Sequence, residues 1–248
     1  MAEEIKVSII TPCFNSEKTI GRTLDSVMAQ TYSNLEYIIV DGGSRDGTLD
    51  IIEQYRKKGN IILISERDNG VYDAMNKGIK AASGELIGII NSDDWYEADA
   101  VKDVLEVYEG TGFEVLYGFT KYWNGSSVDK IVRYSHENLE RQMISHPSCF
   151  VAKKVYDKFG CFDTKYRSSA DYEFMLRLRA AGEEVAFKPV NQLIANFRLG
   201  GISSSDRGVI ETAGIRLNHG LISRKKYMML VTMAKMHRLK EKRWKSGR

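Results

Sequence analysis

Residues 36–48 read Glu36-Tyr37-Ile38-Ile39-Val40-Asp41-Gly42-Gly43-Ser44-Arg45-Asp46-Gly47-Thr48. An apolar, β-branched run of strand length ends in a polar, glycine-rich turn, and Thr48–Lys57 then has the spacing of a helix. The same unit recurs on either side. Lys6–Thr11, Ile61–Ser65 and Leu86–Asn91 are further strand-length runs, and Glu17–Gln30 and Tyr72–Ala82 between them are patterned as helices. Such alternation predicts an α/β fold with a Rossmann-like, mostly parallel sheet flanked by helices. Ligands of such sheets bind beyond the carboxyl ends of the strands. There the chain places Thr11-Pro12-Cys13-Phe14-Asn15, Asp41–Thr48, Glu66-Arg67-Asp68-Asn69-Gly70 and Asn91-Ser92-Asp93-Asp94-Trp95. These four turns are predicted to converge on one edge.

The second half reads differently. Val115–Trp123 and Val128–Tyr134 flank Asn124-Gly125-Ser126-Ser127 as a hairpin. Val155–Phe159 and Asp171–Ala181 look helical, the latter ending at Gly182 as a C-cap. This half is predicted to add antiparallel strands and helices to the same sheet, so that residues 1–220 form a single domain.

Composition narrows the function. The chain has 248 residues, 43% of them apolar, and a formal net charge of +3. That suits a globular protein with a sizeable core and gives no global sign of a nucleic-acid binder. The charge is uneven: residues 221–248 hold ten Lys/Arg and one acid, leaving residues 1–220 acidic overall. Three cysteines, Cys13, Cys149 and Cys161, are neither a disulfide framework nor a zinc cluster, which fits a reducing cytoplasm. The opening Met1-Ala2-Glu3-Glu4 does not read as a signal peptide, and no run approaches the ~18 apolar residues of a spanning helix. The tail alternates basic and apolar positions, a pattern of helices that lie on anionic membranes or pack on a protein body.

Three carboxylate groupings carry possible chemistry. Asp93 and Asp94 follow an apolar strand; two carboxylates there repel and lose solvation unless a cation offsets them, and hard oxygens suit Mg²⁺ or Mn²⁺. The competing reading is a solvated turn that caps a helix. The Asp41–Thr48 turn can bring backbone amides to a ligand, or be an ordinary turn; it is neither a Walker A loop nor a dinucleotide fingerprint. Asp171 opens an amphipathic helix, where a carboxylate is either a proton acceptor in a cleft or a plain N-cap. His146 lacks partners at zinc-ligand spacing, and no Gly-x-Ser-x-Gly elbow is present.

Taken together, these segments resemble the family-2 glycosyltransferases of the A-type glycosyltransferase fold. Val7–Pro12, Val40–Thr48, Asp68-Asn69-Gly70-Val71-Tyr72-Asp73-Ala74-Met75-Asn76-Lys77-Gly78, Gly84–Asp94, His146–Phe150, Gly160–Asp163 and Ala170–Arg177 match that family in order over about residues 5–205. The combination looks closest to members that build bacterial surface polysaccharides, including the colanic-acid type. The resemblance implies a nucleotide-sugar-binding half over 1–95, an acceptor-side half over 96–220 and a basic amphipathic tail over 221–248. It implies donor contacts by Thr11, Pro12, Asp41, Asp68 and Asp93, and Mn²⁺ or Mg²⁺ held by Asp93 with Asp94 beside it. Asp171 would be the general base of an inverting transfer from a nucleotide sugar, a UDP-sugar favoured, to a glycan or lipid-linked acceptor. The enzyme would work in the cytoplasm, at the inner face of the cell membrane where the tail binds it. Gly42, Asn91 and Ala170 depart from the family's commoner acids. The Gln-x-x-Arg-Trp signature of processive members is missing, so transfer of one sugar at a time is expected. A nucleotidyltransferase of sugar phosphates and a non-catalytic sugar-binding module are the alternatives; the first lacks a basic glycine-rich loop in Thr11–Ser16.

Overall fold

The computed structural model describes residues 4–200 and 206–246, without the side chains of Asp206, Lys235 and residues 237–246. The chain alternates strand and helix through its first half: β1 (Val7–Cys13), α1 (Ile20–Met28), β2 (Leu35–Asp41), α2 (Thr48–Arg56), β3 (Ile61–Ser65), α3 (Val71–Ala81) and β4 (Leu86–Ile89). These four strands run parallel to one another. The central three are buried almost throughout, which is why they read as unbroken apolar runs and not as alternating ones. Each fully buried Ile or Leu there contributes about 1.5–3 kcal/mol.

The ladder between β1 and β2 runs to Cys13↔Asp41, two residues past Thr11. Pro12 is tolerated because β4 has already left β1 after Ile10↔Ile89, so no second neighbour needs its missing N–H. α3 lies against β1 closely enough that a Cβ on Gly78 would overlap the Ile10 side chain.

The second half continues the sheet with β5 (Trp95–Tyr96), α4 (Ala100–Leu105), β6 (Phe113–Asn124), β7 (Ser127–Val132), β8 (Cys149–Ala152), α5 (Lys153–Phe159), α6 (Ala170–Ala180) and β9 (Val185–Arg198). Sheet order is β3-β2-β1-β4-β8-β6-β9-β5, with β7 paired to β6. β8 joins β4 and β6 antiparallel, β5 joins β9 antiparallel, and β6 runs parallel to β9. The expected hairpin is β6–β7, with a shorter turn through Gly125-Ser126. α6 stops at Ala180, and Gly182 follows with φ +66°, the left-handed turn that a glycine admits without strain.

α7 (Asp206–Asn218) and α8 (Arg224–Ser246) complete the described residues. α8 buries Ala234 and half-buries Tyr227, Leu230 and Val231, while Met228, Met229, Met233 and Met236 stay exposed. The predicted basic positions Lys235, Arg238, Lys240, Lys242, Arg243, Lys245 and Arg248 have side chains outside the described residues. No helix among the described residues is long and apolar enough to cross a membrane.

Candidate functional site

One cleft of about 1240 Å³ lies where β1, β2 and β4 end. Pro12, Asp68, Asp93 and Asp171 line it, together with Asn15, Ser16, Glu17, Asp46, Ser92 and Tyr72. Asp93 and Asp171, far apart in the chain, therefore share one cavity.

The floor is a lattice of side chain to backbone hydrogen bonds between strand ends. The Asn15 amide N–H donates to Ser44 Oγ at 2.8 Å, and Asn15 Oδ1 accepts from the Arg45 N–H at 2.9 Å. The Ser16 N–H donates to Thr48 Oγ1 at 2.7 Å, while its hydroxyl meets Ser92 Oγ at 2.7 Å. Glu17 Oε2 accepts from the Gly47 N–H, and Asp46 Oδ2 accepts from the Glu17 N–H. Three separate loops are thus fixed relative to one another. Asn15 takes the left-handed conformation, φ +50°, which an Asn side chain tolerates better than most.

Three expected contacts are absent from the cleft wall. Thr11 is fully buried, its hydroxyl paired with Tyr37 Oη at 3.1 Å. Asp41 is also fully buried, and its carboxylate accepts from the Gly43 and Ser44 N–H groups and from Ser65 Oγ at 2.8 Å. Asp41 therefore shapes the turn from behind. Asp94 turns inward: Oδ1 accepts from the Arg198 N–H at 2.9 Å and Oδ2 from Asn91 Nδ2 at 3.2 Å. Asn91, where a third acid would add repulsion, instead supplies a donor to this buried carboxylate.

Asp93 is different. Among the described residues no other residue donates a hydrogen bond to its carboxylate, and it lines the cleft. Burial raises its pKa above the ordinary carboxylate range, against the opposing charge of Arg198. Burial, and then the charge of Asp93, push Asp94 well above that range. Two adjacent acids in this state call for a cation. Arg198 supplies part of that charge, and its Nε is buried with no hydrogen-bond partner. Among the described residues no group of three or more His, Cys, Asp or Glu side chains is arranged so that it could hold a metal ion. The donor set fits Mg²⁺ or Mn²⁺ only in the manner usual for Mg²⁺: one carboxylate from the protein, the remaining ligands from phosphate and water.

Asp68 projects into the cleft with Oδ1 accepting from the Gly70 N–H at 2.9 Å. A Cβ on residue 42 would overlap its carboxylate, so the glycine at that position is a packing requirement of Asp68. At the far wall, Asp171 lies in the first turn of α6, and Tyr72 Oη donates to its Oδ1 at 2.7 Å. Asn76 on the same α3 clasps the Phe162 backbone, with Nδ2 donating to the carbonyl at 2.8 Å and Oδ1 accepting from the N–H at 3.0 Å. α3 thus ties the two halves together. His146 lines the same wall, its pKa lowered by burial against the charge of Asp171.

Several lining residues carried no signal in the sequence. Lys18, Lys130, Arg141, Arg167, Arg198 and Arg216 come from six separate segments and meet only in the fold. Tyr122 and Phe197 pack with ring centroids 5.2 Å apart and add an aromatic face.

The model of glycosyl transferase family 2 matches residues 8–173. A PGL/p-HBAD biosynthesis glycosyltransferase of Mycobacterium bovis is 32% identical over 181 residues, covering 68% of each chain. The chondroitin synthase of Escherichia coli is 30% identical over 80% of this chain, which spans only 30% of that larger protein. Among solved structures, S. aureus TarS 1–349 in complex with UDP-GlcNAc superposes with a TM-score of 0.71 at 21% identity, covering 92% of this chain and 70% of that one. The mannosyltransferase PcManGT of Pyrobaculum calidifontis, in complex with GDP-Man and Mn²⁺, gives 0.70 at 15% identity, over 94% of this chain and 70% of its own. With its parallel core, its antiparallel additions and its sequence match, the chain belongs to glycosyl transferase family 2 and is a glycosyltransferase.

Proposed function

We propose that the protein transfers one sugar at a time, with inversion, from a UDP-sugar to an acceptor hydroxyl during the building of a bacterial surface polysaccharide. The observation that carries this reading is that Asp93 and Asp171 face one cleft whose floor is fixed by the strand-end loops. The donor lies over Pro12, Asn15 and Asp68, its diphosphate toward Asp93 and the unpartnered Arg198 Nε. Asp41 and Thr11 act on the nucleotide through the loops they brace. A divalent cation on Asp93, with Asp94 positioning that turn from behind, would neutralise charge on the leaving diphosphate.

The acceptor hydroxyl approaches Asp171. Asp171 takes its proton while the oxygen forms a bond to the anomeric carbon from the face opposite the diphosphate. The carbon–oxygen bond to the diphosphate breaks and its electron pair leaves with the nucleotide. The Tyr72 hydroxyl holds Asp171 in place through one carboxylate oxygen, leaving the other for the substrate. A single displacement of this kind inverts the anomeric configuration. Residues 1–220 serve as one catalytic unit, 1–95 holding the donor and 96–220 the acceptor. The exposed methionines of α8 and the basic sequence around them favour contact with an anionic lipid surface at the cytoplasmic face.

The deciding experiment is thermal stabilisation by UDP and by GDP with and without Mn²⁺, followed by product analysis with the donor sugars that respond. Metal-dependent stabilisation by UDP and a product of inverted anomeric configuration are expected. Absence of any stabilisation, or pyrophosphate release from a nucleoside triphosphate and a sugar phosphate, would overturn the reading.

A further inference from the structure

Six cationic side chains line the cleft: Lys18, Lys130, Arg141, Arg167, Arg198 and Arg216. None of them forms an ion pair with a carboxylate among the described residues, although Arg56, Lys77, Arg177 and Arg207 all do so elsewhere in the molecule. Cations crowded into one concavity raise each other's energy, and low-dielectric walls focus their field. The arrangement is favourable once an anion enters.

The donor's diphosphate accounts for the end of the cleft near Asp93 and Arg198. It does not account for the other end. Arg216 donates from Nε to Tyr172 Oη at 3.1 Å, and Tyr172 directly follows Asp171. A guanidinium nitrogen of the same Arg216 donates to the Arg141 carbonyl, which brings these two segments together. Arg167 has its backbone pinned, its N–H donating to Glu211 on α7 at 2.9 Å. Its guanidinium reaches across to the start of α3, with Nη1 3.3 Å from where a Cβ on Gly70 would stand. Tyr72, two residues on, is the donor to Asp171. Arg167 and Arg216 therefore line the same cleft as the proposed base; Arg167 carries a planar fork suited to phosphate or carboxylate, and Arg216 keeps N–H groups to spare beyond those it gives Tyr172 and Arg141.

We propose that the acceptor itself is anionic, carrying a phosphate or carboxylate group that Arg167 and Arg216 bind next to the hydroxyl under attack. This rests on the reading of Asp171 as the acceptor-side base. It deepens that reading by naming the charge class of the second substrate. Two sources supply such a group: a phosphate linking the growing sugar to a lipid, and the carboxylate of a uronic acid.

The test uses the full chain saturated with UDP and Mn²⁺, titrated calorimetrically with farnesyl phosphate, octyl β-D-glucuronide and octyl β-D-glucoside. At least one anionic ligand is expected to bind tenfold or more tightly than the neutral glucoside without releasing UDP. Arg167→Gln is expected to weaken that binding at least fivefold while UDP affinity stays within twofold. Preference for farnesyl phosphate assigns a lipid phosphate, preference for the glucuronide assigns a uronic acid, and equal binding supports the charge class alone. The proposal is overturned if neither anion outbinds the glucoside, if both displace UDP, or if Arg167→Gln leaves their binding unchanged. Should Arg167→Gln fail to fold, Arg216→Gln takes its place under the same criteria. Failure of UDP itself to bind sinks the functional reading instead, and the anion titrations on the free enzyme then still decide the charge of this end.

Discussion

On the proposed donor side of the cleft, Asn15, Ser16 and Glu17 bond the Ser44–Thr48 turn and Ser92 through short side chains and backbone amides. On the proposed acceptor side, Arg141, Arg167 and Arg216 reach into the cavity on long side chains with no carboxylate partner among the described residues. The first wall is rigid before any ligand arrives, because each loop is tied to its neighbour and a hydrogen bond to backbone costs little entropy to keep. The second is anchored at fewer points, Arg216 through Tyr172 and the Arg141 carbonyl, and its cations gain a charged partner only when an anion settles among them. Preorganisation suits a nucleotide diphosphate, whose form is constant. A cationic wall suits an anionic acceptor.

This contrast can be broken at several points. The largest effect is expected at Asp93. Asp93→Asn should lower transfer by about 10²–10⁴-fold, because metal-assisted charge neutralisation is worth several kcal/mol, and should remove the Mn²⁺-dependent part of UDP stabilisation in a melting assay. Retained metal dependence would move the cation elsewhere. A smaller effect is expected from Glu17→Ala, which frees the Gly47 N–H and cuts one of the ties between two strand-end loops. Loss of such a bond costs about 1 kcal/mol, so donor KM should rise about fivefold with acceptor KM unchanged; equal changes in both would dissolve the distinction between the walls. Gly42→Ala should act through Asp68, whose carboxylate must swing away from the new Cβ and give up the Gly70 N–H. A threefold or smaller loss of UDP affinity is expected, with the melting temperature nearly unchanged. A lysine-neutral change such as Lys130→Gln should be smallest, altering the salt dependence of acceptor KM but not of donor KM.

The same division separates what the sequence reveals from what it hides. Ile61–Ser65 is a strand in both descriptions, and β1, β2 and β4 differ from their predicted limits by one or two residues. Buried parallel strands must be apolar throughout, and their ends must change character at the ligand edge, so local sequence carries both signals. β9 was not legible. Its fourteen residues mix Lys188-Pro189 and Asn191-Gln192 with buried Val190, Ile194 and Ala195, and pairing with β6 over two register shifts breaks any alternation. β8 is four buried residues, too short for its periodicity to separate strand from helix.

At the site, Asp93 and Asp171 could be picked out because each follows a recognisable element. That Asp94, one residue on, would turn into the core could not, because one of its two partners, the Arg198 backbone, arrives from a strand distant in sequence. Nor could the inward packing of Asp41 and Thr11, which depends on Ser65 and Tyr37 arriving from neighbouring strands. The cationic lining left no trace, since its members come from a hairpin, three loops, the end of β9 and α7 and share no spacing.

The central claim is that donor and acceptor meet between Asp93 and Asp171, each acid serving one substrate. Asp171→Asn, measured for UDP·Mn²⁺ affinity and for single-turnover transfer in the same preparation, tests it most directly. UDP affinity within twofold of the parent is expected, with a transfer rate lower by about 10²–10⁴-fold, the usual weight of a positioned base. Transfer at the parental rate, or nucleotide binding lost together with it, would contradict the account.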